Sequence, residues 1–181
     1  MISIIITVML LEIHVPRGRP ELAELRPLLP SFLSYVLSFV YLGIYWNNHH
    51  HMFQVTERVT GAILWANLHL LFWLSLVPFV TGWMGATEFA PTPTALYGVV
   101  MLMAAIAYYI LQLTILNAPG GNAVLRAALG ADWKGKLSPV MYLAAILLAY
   151  VNPWIACGRY VAVALIWLVP DRRIEWVMKE G

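Results

Sequence analysis

At 181 residues, 61% hydrophobic and only 11% charged, with a mean hydropathy of +0.75, the chain is far from the balance of a soluble domain and reads as an integral membrane protein. That length leaves room for about six spanning helices and no separate soluble domain. The net charge of +2 gives no basis for a nucleic-acid surface, and the lone Cys157 can build neither an intrachain disulfide nor a cysteine metal site, so it reads as a buried small residue.

The first stretch, residues 1–13, is apolar except for Ser3, Thr7 and Glu12, and lacks the basic opening of a signal peptide. As a helix it covers roughly 20 Å, about ten short of a bilayer's hydrocarbon core. Ile4, Thr7, Val8 and Leu11 fall at i, i+3, i+4 and i+7 and share one face whose only polar atom is a threonine hydroxyl. A polar turn from His14 to Leu25 follows, punctuated by Pro16, Gly18 and Pro20.

The second span is expected over 26–46, with Pro27 and Pro30 in its first turns, and its end is marked by Trp46-Asn47-Asn48-His49-His50-His51. After Gln54, Glu57 and Arg58, a third span is expected over 61–83, where Asn67 and His69 are polar at depth and need protein partners. A turn with Glu88, Pro91 and Pro93 leads to a fourth span over 95–116. The connection from Asn117 to Lys136 has room for a surface helix around Asn122 to Leu129. Asn152-Pro153 divides the last apolar run into spans over 137–151 and 154–169, one long kinked helix being the alternative.

With six spans, Arg58, Arg126, Lys134, Lys136, Arg172, Arg173 and Lys179 fall on one side and outnumber Arg17, Arg19, Arg26 and Arg159 on the other, which places both termini in the cytoplasm. Trp46, Trp83, Trp133 and Trp167 sit near span ends, as an aromatic belt requires.

The histidines are the loudest polar feature. Successive helical residues point about 100° apart, so His49, His50 and His51 cannot form a three-ligand site alone, and Trp46 stands where a His-x-x-His-His box needs its first histidine. The plainer reading packs one histidine into a polar network and leaves the others at the interface. No phosphate loop, nucleophile elbow or intramembrane carboxylate pair is present, so no enzyme chemistry is expected. Glu12 is the only acid within a span, at a helix end or a pore mouth. A Thr-Val-Gly-Tyr-Gly carbonyl filter is also missing, so any ion selection falls to side chains.

Taken together, Ser3-Ile4-Ile5-Ile6-Thr7-Val8-Met9, Leu11-Glu12-Ile13-x-Val15-Pro16, Trp46-x-x-His49-x-x-x-Phe53, Asn67-Leu68, Pro78-Phe79-x-Thr81 and the closing Trp167-Leu168-Val169-Pro170-Asp171-Arg172-Arg173 resemble the prokaryotic members of the transmembrane protein 175 family of potassium channels. The resemblance implies an all-α membrane protein with six helices per subunit, in which four subunits surround a pore lined by their first helices. It implies a homotetramer in the prokaryotic inner membrane, with the lipid bilayer as surroundings, potassium as the permeant ion, and neither cofactor nor small-molecule substrate. By position it places a hydrophobic constriction at Ile4, further apolar rings at Val8 and Leu11, and the selectivity oxygens at Thr7. It also matches Trp46, His49 and Asn67 to a polar network that, in the family, holds a segment preceding the position of Met1. Either the start codon lies upstream or the chain is a shortened form; the first is the expectation. The alternatives are a proton leak or small carrier relaying protons through His49, His69 or Glu12, and a membrane enzyme or haem protein using the histidines.

Overall fold

The computed structural model describes residues 1–11, 13, 22–54, 56, 58–118 and 133–168, and among them the chain is all-helical. The turn after the first helix, including Glu12 and His14, the expected surface helix at 122–129 and the segment after Leu168 lie outside the described residues.

Helix α1 spans Ile2–Leu11. A 3₁₀ turn, Leu22–Leu28, carries Pro27 and leads into α2, Leu29–Gln54. This helix continues well beyond the apolar run ending at Trp46, and the histidine run sits on it rather than after it. Nothing between Trp46 and Gln54 breaks a helix, and Asn48 donates its side-chain amide to the Ile44 carbonyl at 2.8 Å. Its 26 residues extend roughly 39 Å, so one end projects beyond the hydrocarbon layer.

The expected third span is two helices, α3 (Gly61–Ser75) and α4 (Val77–Ala86), joined at Leu76. Pro78 causes the joint: it has no N–H to give the Leu74 carbonyl, and its ring crowds that position. Thr60 caps α3 by accepting the Ile63 N–H at 3.4 Å. Helix α5 is Pro91–Leu116, its early prolines lying where a missing N–H is tolerated. Helix α6 is Trp133–Ala149, beginning a turn before the expected Leu137, and α7 is Pro153–Leu168. Between them Asn152 accepts the Trp154 N–H at 3.0 Å on its side-chain oxygen. Counting α3 and α4 as one broken helix gives six α-helices among the described residues. Of these, 25–54, 61–86 and 91–116 are long and apolar enough to cross a membrane, and the other three are shorter apolar helices.

Helix α5 lies at the centre, packed against α3, α4, α6 and α7, while α2 packs on α4 and α7. The outside of the bundle is apolar: Leu64, Trp65, Leu68 and Phe72 on α3, Leu143 and Leu147 on α6, and Val161 and Leu165 on α7 are exposed, as a lipid-facing surface requires. Several of the polar groups inside are paired with one another. Ser38 and Thr81 share a hydroxyl hydrogen bond of 2.7 Å, and Ser38 is 3.2 Å from the Tyr97 hydroxyl. Tyr41 donates to the Tyr160 carbonyl at 2.6 Å, and Tyr160 donates to the Thr94 carbonyl at 3.0 Å. These bonds tie α2 to α4, α5 and α7 where no water competes. Gly98 lets the Tyr160 hydroxyl lie against α5, since a Cβ there would run into that hydroxyl and into Ile146.

The α4–α5 turn is a Schellman motif built without glycine. Phe89 donates its N–H to the Met84 carbonyl at 2.9 Å, Glu88 donates to the Gly85 carbonyl at 3.1 Å, and Glu88 and Phe89 have φ of 51° and 62°. The left-handed region costs a non-glycine residue about 1 kcal/mol or more. Glu88→Gly is therefore expected to raise the melting temperature by about 2–4 °C. The same change at Phe89 should lower it, because Phe89 is buried and its ring sits 5.2 Å from Trp154. Thermal unfolding of the two purified variants checks the pair.

Candidate functional site

Helix α1 has two distinct sides. Ile2, Ile5 and Met9 are buried, and the helix leans chiefly on α4, with α2 and α3 beside it. Spaced at i, i+3 and i+7, these three fix the rotation of the helix on the bundle. The side turned away carries Ile4, Thr7, Val8 and Leu11, all exposed; Ile4 retains 63% and Leu11 78% of full exposure. Nothing described covers this face, although three of its four residues are aliphatic.

Thr7 is the polar exception, and its geometry is specific. Its hydroxyl donates to the Ile4 carbonyl at 2.8 Å, so the proton points back along the helix and the oxygen lone pairs are left outward. An oxygen held this way can accept from water or coordinate a cation. Beside this face, Val8 borders a groove lined on α4 by Pro78, Phe79, Gly82, Trp83 and Ala86. Phe79 and Trp83 have ring centroids 6.0 Å apart, and both are exposed. Sequence reasoning assigns this surface no role, though the Phe79/Trp83 pair at i, i+4 directly after Pro78 is its signal.

Of the residues read as a polar network, His49 and Asn67 come together: His49 Nε2 and Asn67 Oδ1 are 2.7 Å apart, joining α2 to α3. The oxygen can only accept, so Nε2 carries the proton in this pair. Phe53 flanks the imidazole at 4.7 Å between ring centroids. Trp46 is 50% exposed and stacks on His50, with planes 6° apart and centroids separated by 5.7 Å. His50 contacts Gln54 at 3.0 Å, and His69 accepts the indole N–H of Trp73 at 3.0 Å. Among the described residues no three His, Cys, Asp or Glu converge as a metal site would require. Cys157 is half-buried on α7.

In comparisons with known proteins, the family model described as endosomal/lysosomal potassium channel TMEM175 matches residues 1–78. A potassium channel of Chryseobacterium sp. (strain P1-3) is 51% identical over 180 residues, covering 99% of this chain and 93% of that protein. A potassium channel of Chamaesiphon minutus is 28% identical over 167 residues, covering 86% of this chain and 82% of that protein. The fold is similar to that in the crystal structure of a lysosomal potassium-selective channel TMEM175 homolog from Chamaesiphon minutus, with a TM-score of 0.81, 26% identity, and coverage of 93% of this chain and 90% of that one.

Proposed function

The chain belongs to the TMEM175 family of potassium channels, and from that premise we propose that it conducts potassium along the uncovered face of α1. The observation that carries this reading is the division of α1 into a buried side, Ile2, Ile5 and Met9, and a largely apolar side, Ile4, Thr7, Val8 and Leu11, that the subunit leaves exposed. In a homotetramer the four exposed faces meet on an axis. Ile4 then forms the narrowest apolar ring, Val8 and Leu11 extend it, and Thr7 supplies oxygens to a partly dehydrated cation. A ring of branched aliphatic side chains closes a pore by expelling water, and a small outward movement of the helices wets it. The groove along Phe79 and Trp83 receives part of the neighbouring subunit in this arrangement, and both termini face the cytoplasm of a prokaryotic inner membrane.

The reading is tested by potassium uptake into proteoliposomes holding the purified chain, with sodium uptake measured in parallel. Potassium-preferring flux supports it, and protein that inserts as a tetramer without conducting argues against it. The proton-relay alternative has less support, because His49 is tied to Asn67 and His69 to Trp73 within the bundle.

In this scheme His49 and Asn67 fix α2 against α3 rather than touch the ion. Asn67→Leu removes the bond and is expected to cost about 1 kcal/mol, typical of interhelical hydrogen bonds in membranes. The purified variant should melt a few degrees lower while keeping the potassium-to-sodium preference of its conducting fraction. A changed preference with an unchanged melting temperature would move the pair to the ion path.

A further inference from the structure

A cleft of about 50 Å³ lies among α2, α5, α6 and α7. It is large enough for a small polar group and a few carbon atoms, several times the space one water needs. Half of the residues that line it are aromatic. Tyr45 from α2 and Tyr108 from α5 meet edge to face at 6.0 Å, and Tyr142 from α6 closes another side.

The polar atoms around it are unevenly satisfied. Ser138 donates to the Lys134 carbonyl at 2.8 Å and accepts the Trp167 N–H at 2.7 Å, and the Asn48 amide nitrogen is held by Ile44. Gln112 is different: it is only 6% exposed, lines the cleft, and its side-chain amide has no hydrogen-bond partner among the described residues. Its amide atoms are not sealed off, so a group that enters the cleft can meet them. Its donors and acceptor call for a group that both donates and accepts, which a hydroxyl or amide does. Among the described residues no charged side chain lines the cleft, so nothing described there would serve a carboxylate, phosphate or ammonium as counterion. Tyr109, on the cleft's edge, is 49% exposed, so one side opens to the outside of the bundle.

We propose that this cleft binds a small neutral amphiphile, whose hydroxyl or amide head hydrogen-bonds Gln112 and whose apolar tail leaves past Tyr109. Such a ligand sits against α2, which also packs against α1, so it can bias the position of α1 without entering the ion path.

The test is photolabelling of the full chain in lipid nanodiscs with a diazirine-bearing octanol, in the presence and absence of excess 1-octanol, followed by mapping of adducts by mass spectrometry. Adducts are expected on the segments carrying Tyr45, Tyr108 and Gln112, competed by 1-octanol. Yield there should be reduced about fivefold in Gln112→Leu, the loss of one buried hydrogen bond. Ala105→Leu narrows the same cleft without touching the amide and should also abolish those adducts, which keeps the test decisive should Gln112→Leu fail to fold. Adducts confined to lipid-facing residues such as Phe72 and Leu147, or cleft adducts indifferent to 1-octanol and to both substitutions, would overturn the proposal. This readout is independent of conduction, so it stands or falls apart from the channel reading.

Discussion

Ile4→Asn is expected to raise potassium flux at least about tenfold and to erode the preference over sodium. The first effect corresponds to about 1.4 kcal/mol removed from the barrier. An apolar ring narrow enough to expel water presents an ion with the cost of leaving its hydration shell. Four carboxamides at the same position would hold water and offer oxygen ligands, which lowers that cost for sodium as well as potassium. Ile5→Asn is the matched control. Ile5 is only one residue away but buried against the bundle, so the amide there is stranded without a partner and the protein should lose stability instead of gaining flux. The two variants, measured for uptake into proteoliposomes and for thermal unfolding, separate a ring on the ion path from a helix that tolerates polarity anywhere.

Gly85→Val should cause the largest loss of stability. A Cβ at Gly85 would lie 2.6 Å from the Ser31 Cα and 2.6 Å from the Ser34 hydroxyl. The hydroxyl can rotate away, but the Ser31 backbone cannot, so α4 would have to separate from α2. Ser34 and Ser38 on α2, facing Thr81 and Gly85 on α4, are the small residues that let two membrane helices approach this closely. Overpacking in a filled core costs about 1–3 kcal/mol, and a backbone collision belongs at the upper end or beyond. Separating the helices also strains the Ser38–Thr81 bond and shifts the surface on which α1 rests. Gly43→Ala is the counterpart, since a Cβ there meets nothing within 4 Å and α2 gains helix propensity. Melting temperatures far apart are expected; equal values would remove the α2–α4 contact from the stability of the fold.

The order of the described helices was readable from hydropathy because each apolar run is bounded by residues that break helices or favour water. Asn152-Pro153 announces a break, and the helix breaks there, with the Asn152 side chain capping the start of α7. Pro78 gave an equally clear signal for a joint at Leu76, but hydropathy averages across a kink, and 61–83 reads as one run. The end of α2 was obscured for the opposite reason: polar residues mark where the bilayer stops rather than where the helix stops, and Asn48 and the histidines remain helical to Gln54.

Periodicity alone picked out the Ile4, Thr7, Val8 and Leu11 face, yet it could not say which side of α1 a subunit buries. That depends on Ile2, Ile5 and Met9 finding α4, a contact between segments distant in sequence. Whether Trp46 turns to His49 or stacks on His50 likewise depends on rotamers that sequence spacing does not specify. Hydropathy assigns Gln112 no role within the 95–116 run, because the cleft it faces exists only once α2, α5, α6 and α7 have assembled.

The most direct test of the α1 face as the ion path is potassium flux through cysteine variants treated with a methanethiosulfonate reagent, in a Cys157→Ser background. Thr7→Cys should conduct until the reagent is added and then lose most of its flux. Leu10→Cys, exposed on another side of the same helix, should react and continue to conduct. Block at Leu10→Cys together with unimpeded flux through fully labelled Thr7→Cys would contradict the account and turn α1 the other way round.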